Sequence, residues 1–409
     1  MKLLQINTSV NSGSHGRIAE NIGLSAMSAG HISFIAATYT KRPSRSEVIS
    51  ISNTIDRNLH GLKTRLLDHH GFGSSRATRV FVKKINEIKP DIIHLHNIHG
   101  YYLNVGILFD FLKNIKSPVV WTLHDCWPFT GHCSHFQFAE CEKWKIQCYN
   151  CPNTYGYPAS WLIDNSRKNF ICKKNLFTEL KNLTLVTPSH WLEKQLSESF
   201  LSSYPVKLIY NGVDIDVFKP KEGTTIRSKL GIEKRGMILG VSSIWNQRKG
   251  LYDFYRLRQL LDKEIIIVLV GLTPRQVKNL PPGIIGIVRT ENVSELAELY
   301  SAADMLVNPS YVDNFPNVNI EALACGTPVV TYNTGGGPEA IDQSTGIVVD
   351  YGNINELRKG IMTVFESEDT YRSSQCRERA VNLFSSKDRF GDYIKLYESV
   401  LENNNSIVN

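Results

Sequence analysis

Short, unbroken apolar runs rich in β-branched residues recur along this chain, each followed by a segment with helical spacing. They lie at 3–7, 32–37, 91–95, 119–123 and 183–187 in the first half. In the second half they lie at 238–242, 265–270, 284–288, 305–308, 329–332 and 347–349. A strand with one wet face alternates apolar and polar residues, whereas a strand covered on both faces reads as a solid apolar run. Such runs alternating with helices predict βαβ units and open parallel sheets. The rhythm occurs twice in 409 residues, a length that itself favours two domains.

The turn-rich stretch Tyr210-Asn211-Gly212-Val213-Asp214, leading to Pro220, separates the two series. The expected fold is α/β, with a Rossmann-like domain over 1–210, carrying a cysteine-rich insert at 126–152. A second Rossmann-like domain spans 211–384. Phe390, Tyr393, Ile394, Tyr397, Val400 and Leu401 keep an i, i+3, i+4, i+7 spacing. They predict a final helix within 385–409 that returns toward the N-terminal domain, with residues 402–406 fraying beyond it. In open parallel sheets ligands bind beyond the carboxyl ends of the strands. Two such domains facing each other across a cleft would draw their chemistry from loops that follow strands.

Charge is unevenly placed. Residues 1–200 hold 23 Lys+Arg against 14 Asp+Glu, whereas the remainder holds 23 against 25. A basic first half suits a phosphate, a nucleic acid or a membrane face, and equally an ordinary solvated surface. No dense basic stretch interleaved with aromatics is present, which argues against nucleic acid. No run approaches the roughly 18 apolar residues of a spanning helix, and the first residues are apolar for too few positions to be a signal peptide. The expected location is cytoplasmic, at the inner face of the plasma membrane if the first half meets lipid. Residues 57–68 place Leu59, Leu62, Leu66 and Leu67 on one helical face, with Arg57, Lys63 and Arg65 elsewhere. That face either packs on its own domain or meets a membrane or an acceptor lipid.

Five loops carry candidate chemistry. Asn11-Ser12-Gly13-Ser14-His15-Gly16-Arg17 joins the first strand to a helix, and such a junction offers amide donors to a phosphate or is simply a tight turn. His124, at the end of the strand at 119–123, could bond a sugar hydroxyl or a donor phosphate, or pair structurally with Asp125. Arg248 and Lys249 stand ahead of a helix, where a guanidinium fork and an ammonium could neutralise a diphosphate or simply form a charged surface loop. From Tyr311 to Val330 a strand end, loop, short helix, glycine stop and further strand follow in order. Asp313 and Glu321 could flank one ligand there, with the amides of Val318 and Asn319 suited to its phosphate. Gly335-Gly336-Gly337-Pro338-Glu339 permits close backbone approach before a helical turn. Separately, Cys133, Cys141, Cys148 and Cys151 supply enough thiolates for a closed structural zinc site, or are plain buried thiols.

These residues together resemble the retaining glycosyltransferases of family 4, which have the GT-B fold. The resemblance covers nearly the whole chain and is strongest over 313–330, 335–339 and 248–250. Residues 211–220 resemble that family's Asn-Gly-Val/Ile-Asp linker, and 121–152 resembles a narrower group that builds bacterial surface polysaccharides, including the colanic-acid type. The resemblance implies that Glu321 binds the nucleotide ribose and that Asp313, where glutamate is usual, contacts the transferred sugar. It implies that Arg248 and Lys249 bind the donor diphosphate, that Gly16 lies on the glycine loop, and that His124 lies near the reacting carbon. The implied reaction moves a sugar from a UDP or GDP donor to a lipid-linked saccharide such as O-antigen, capsule or colanic acid, keeps the anomeric configuration, and needs no catalytic metal. Competing readings are a nucleotide-sugar epimerase or sucrose-type synthase of the same shape, and a non-catalytic nucleotide-sugar-binding protein.

Overall fold

The computed structural model describes residues 1–40, 42–367, 371 and 373–408. The chain divides into two compact units, Met1–Ile209 with Arg389–Asn409, and Tyr210–Asp388.

The first unit is built on seven strands: β1 (Lys2–Ile6), β2 (Ile32–Ala37), β3 (Glu47–Ser50), β4 (Ile92–Leu95), β5 (Val119–Thr122), β6 (Leu183–Thr187) and β7 (Val206–Leu208). All pairs are parallel, in the spatial order β3-β2-β1-β4-β5-β6-β7. The second unit holds β8 (Gly236–Val241), β9 (Ile265–Val270), β10 (Ile284–Ile287), β11 (Met305–Asn308), β12 (Val329–Tyr332) and β13 (Gly346–Val349). These are also all parallel, ordered β10-β9-β8-β11-β12-β13. Both sheets start from an inner strand, wind outward one way, then cross back and wind outward the other way. That is the doubly wound order, with covering helices on both faces.

Helix α1 (Gly13–Ser28) buries Ile18, Ile22 and Ala26, and Gly30 ends it with φ +80°. Helix α2 (Thr54–Leu67) is N-capped by Asn53, whose side chain accepts from Asp56 N, and ends at Asp68 in the left-handed region. Helix α3 (Asn317–Ala324) follows Pro316. Helix α4 (Ser386–Val408) lays Phe390, Tyr393, Ile394 and Tyr397 on α1 and on Leu3, Ile92 and Val120 of the first sheet. Each of those buried rings contributes on the order of 1.5–3 kcal/mol. The opposite face of that sheet is filled by aromatics, with Phe109 and Phe177 4.4 Å apart and Trp121 edge-on to Phe177 at 5.1 Å. The second unit ties its own ends together: Val213 N donates to Phe384 O at 2.8 Å and Ser386 N to Val213 O at 2.9 Å.

Two expectations change. Residues 402–406 do not leave the helix, because α4 runs on to Val408 and Asn404 Nδ2 donates to Lys116 O at 3.0 Å. The leucines of α2 are not its packed face either: Leu59 and Leu62 are 55% and 50% exposed, while His60, Gly61 and Thr64 are buried. His60 explains the choice, since its Nε2 accepts from the backbone amides of Gly71 and Gly73 and so pulls the polar side of the helix inward.

Candidate active site

In each sheet the order reverses between the first and fourth strands, β1 and β4 in one unit and β8 and β11 in the other. Loops leaving two such neighbours diverge, and the crevice between them is the usual ligand site.

In the second unit the loop after β8 ends in a 3-10 turn, Gln247–Lys249, capped by Asn246 Oδ1 accepting from Lys249 N at 3.1 Å. Gly250 follows with φ +74°, and a Cβ there would lie 2.2 Å from Pro309 O, so only glycine lets this turn rest on the loop after β11. The two loops are then laced together. Tyr311 N donates to Arg248 O at 2.9 Å, Arg248 Nη1 donates to Val312 O at 3.3 Å, and the Lys249 ammonium pairs with the Asp313 carboxylate. The glycine-rich loop seals the far side: a Cβ on Gly335 would strike Asp313 O at 1.7 Å, and Gly336 N donates to Asn314 O at 3.1 Å.

The same loop runs directly into α3. Amides in the first turn of a helix have no carbonyl of their own helix to reach, and the helix dipole adds positive potential there. Val318 N lies in that turn. Asn319 N is instead bonded to Pro316 O at 3.1 Å, and the Asn319 side chain is buried, accepting from Asn308 Nδ2 at 2.8 Å and donating to Gly337 O at 3.2 Å. Asn319 therefore props the loop from beneath. Glu321, half-buried one turn on, accepts from Tyr300 OH at 2.9 Å, and Thr327 Oγ1 fixes Tyr300 by donating to its carbonyl at 2.6 Å. Arg248, Lys249, Asp313, Val318 and Glu321 thus share one loop system at the switch point of one sheet.

In the first unit Gly16 sits in the first turn of α1, where a Cβ would meet Ser9 Oγ at 2.7 Å. Its smallness lets the helix approach the loop after β1. His124 follows β5 and ends a chain of side chains running back to β1. Gln5 Nε2 donates to Ala19 O at 2.8 Å, leaving its Oε1 to accept from His96 Nε2 at 2.9 Å. A neutral His96 then has only Nδ1 to accept, so His124 Nε2 donates across 3.1 Å and the His124 lone pair is at Nδ1. Burial, reinforced by His15, holds His124 at about 3, so it is neutral near pH 7. Burial likewise holds His15 at about 4, its Nδ1 lying 3.1 Å from Asn7 Oδ1. Asp125 does not pair with His124. It pairs with His99 Nε2 at 2.9 Å, and although burial pushes its carboxyl up, the His99 pair outweighs this and holds it at about 2.

Sequence reasoning missed this histidine string and Tyr300. The string was visible as His94-Leu95-His96-Asn97-Ile98-His99, three histidines in six residues where an apolar run ends. Tyr300, inside an ordinary amphipathic helix, gives no such signal. Cys133, Cys141, Cys148 and Cys151 line one small cavity. Among the described residues, no three Cys, His, Asp or Glu side chains are drawn together at metal-binding distance.

Residues 17–217 match the family model described as Glycosyltransferase Family 4, and residues 235–367 the model described as Glycosyl transferases group 1. The putative colanic acid biosynthesis glycosyl transferase WcaC of Escherichia coli (strain K12) is 24% identical over 98% of this chain and 100% of its own length. Among solved structures, sucrose-phosphate synthase from Thermosynechococcus elongatus superposes with a TM-score of 0.74 at 18% identity, covering 98% of this chain and 99% of that one. Anabaena Alr3699/HepE, solved in complex with UDP-glucose, gives 0.67 at 17% identity over 99% and 100%.

Proposed function

Because the chain is a glycosyltransferase of the GT-B type, built from a family 4 and a group 1 domain, we propose that it transfers a sugar from a nucleoside diphosphate donor to a growing lipid-linked bacterial surface polysaccharide, with retention of anomeric configuration. The observation that carries this reading is the lacing of Arg248 and Lys249 onto the loop that leads into α3. Two cations and the start of a helix brought into one loop system are groups that suit a pyrophosphate.

In this reading the donor ribose hydroxyls donate to Glu321, whose carboxylate Tyr300 holds in place. Arg248, Lys249 and the Val318 amide take the two phosphates. Charge grows on the diphosphate as the bond to the sugar breaks, so fixed cations aimed at it lower the barrier more than they tighten the ground state. Asp313 accepts from hydroxyls of the transferred sugar once the diphosphate has drawn Lys249 from it. His124 presents its Nδ1 lone pair to a donor hydroxyl and, being neutral, adds no charge to compete for the phosphates. UDP in the Anabaena complexes makes a uridine donor the first to test.

The acceptor reading rests on the first unit. Arg57, Arg65, Tyr39, Tyr101 and Trp161 line a cavity of about 480 Å³ beside the outward leucines of α2. Arg57 lies 4.5 Å from the Tyr39 ring and Arg65 5.7 Å from the Trp161 ring. Aromatic faces suit a saccharide, guanidinium groups suit a lipid diphosphate, and Leu59 and Leu62 suit the acyl side of a membrane face. Among the described residues no helix is long and apolar enough to cross a membrane.

The test is a thermal-shift screen of UDP, GDP, their sugars and NAD, followed by an assay of nucleoside diphosphate release with and without lipid-linked acceptor. One nucleotide class should raise the melting temperature, because a ligand that binds only the folded chain stabilises it. NAD should not, and release should depend on acceptor. A cooperative melt that no nucleotide moves sinks the proposal, and release that ignores acceptor favours the epimerase reading.

A further inference from the structure

The insert that follows β5 has almost no regular structure of its own, only the 3-10 turns Trp127–Phe129, Gln137–Ala139 and Lys143–Lys145. It nevertheless packs tightly: Trp144 is buried between Phe129 and Phe136, at 5.1 and 4.8 Å. A segment with so few backbone ladders needs another restraint to hold one conformation.

Cys133, Cys141, Cys148 and Cys151 all line one cavity of about 10 Å³ within this insert, with His132 and Ser166 on the same wall. That volume suits a single ion better than a ligand. A backbone amide is aimed at one of the sulfurs: Gly131 N donates to Cys148 Sγ at 3.2 Å. Such donors stabilise a thiolate far more than a thiol. Gly131 is at this position because a Cβ would lie 2.6 Å from that of Cys148.

A second observation points to a ligand independently of the cysteines. His132 Nδ1 is held by Asp68 Oδ1 at 2.6 Å with both side chains fully buried, yet His132 Nε2 is buried without a hydrogen-bond partner. Lys173 is also buried here. Its ammonium donates to Trp127 O at 2.6 Å and lies 3.9 Å from the Trp127 ring. A buried polar nitrogen and a buried ammonium beside four neutral thiols are both costly. Beside four thiolates around a dication, whose net charge is −2, both are stabilised.

We propose that Cys133, Cys141, Cys148 and Cys151 bind one zinc ion that fastens this insert, with His132 Nε2 and Lys173 as its outer-sphere donors. Four thiolates, two of them from buried cysteines and two from partly buried ones, select a structural zinc ion in tetrahedral geometry. Binding draws the four sulfurs onto one point and releases their protons to solvent.

The test is metal analysis of the full-length chain purified without chelator or affinity metal. About one zinc per chain is expected. Cys148→Ser and Cys151→Ser should each fall below a tenth of an equivalent, while Cys172→Ser, outside the cavity, keeps its zinc. Should the serine variants fail to fold, cobalt substitution of the intact protein reads the same point through the visible bands of a tetrahedral thiolate site. Less than a tenth of an equivalent in the intact chain, octahedral cobalt bands, or a Cys133–Cys151 disulfide in the freshly purified protein overturns the proposal.

Discussion

Lys249→Ala tests the donor site most sharply, because the structure fixes both what the substitution removes and what it leaves behind. Lys249 and Asp313 are a pair about four-fifths buried, at 21% and 20% exposure. Hydrogen bonds to charged groups are worth about 1.5–3 kcal/mol, so losing the ammonium should weaken nucleoside diphosphate binding by about 2 kcal/mol, roughly 30-fold in Kd. Part of that loss is not the missing contact. Asp313 then faces two phosphates without that ammonium, and unit charges 4 Å apart repel by up to about 4 kcal/mol at an effective dielectric near 20. Asp313→Asn removes the repulsion, so the lysine substitution should cost only about fivefold to tenfold in that background, a coupling of about 1 kcal/mol. Calorimetric titration of the four proteins with whichever of UDP or GDP binds gives the cycle directly. A Kd for Lys249→Ala within threefold of the parent, or effects that add within about 0.3 kcal/mol, would refute the idea that this pair opens around a diphosphate.

Gly250→Ala should lower the melting temperature of the second unit by several degrees, since a left-handed alanine costs roughly 1–2 kcal/mol before its clash with Pro309 O is relieved; an unchanged melt refutes the close approach. Tyr300→Phe should weaken nucleotide binding about twofold to tenfold, for one lost hydrogen bond to Glu321, with little change in turnover at saturating donor; titration and steady-state kinetics separate the two. Acid should unfold the first unit early. Burial keeps His15 and His60 at about 4 and His124 at about 3, and pushes His70, His94 and His96 well below 6.5. The unfolded chain therefore binds more protons between pH 6.5 and those values, so stability present above pH 6.5 is lost as pH falls, at about 1.4 kcal/mol per pH unit for each fully titrating histidine. Melting curves at pH 7.5 and 5.5 that coincide would contradict this.

The parallel architecture was legible because its evidence is local. All eleven apolar runs became strands, since a strand covered on both faces leaves an unbroken signature. The two main-sheet strands that were missed, β3 and β7, are the edges of the seven-stranded sheet, where Glu47-Val48-Ile49-Ser50 and Val206-Lys207-Leu208 stay largely wet and read as loop. The leucine face of α2 misled for the opposite reason: periodicity locates an apolar face but does not say what it meets, and a buried His60 turned it outward. At the proposed donor site the cations and carboxylates stood out in the sequence because each lies in a loop that follows a strand or in the helical turns directly after it. The sequence could not show that Lys249 meets Asp313, that Tyr300 holds Glu321, or that His124 is set by Gln5 through His96, because those contacts span 21 to 91 residues.

The hydrogen bonds that join Val213 to Phe384 and Ser386 bring the two ends of residues 210–388 side by side. That segment is in effect a cassette spliced into the other unit, which is itself discontinuous and regains its last helix only after the splice. Cutting the chain after Ile209 would therefore strip Phe390, Tyr393 and Tyr397 from one sheet and yield an incomplete fragment, whereas lifting out 210–388 severs no strand. The two units are thus separable in the chain, and a relative could exchange residues 210–388 while leaving the other unit's strands untouched.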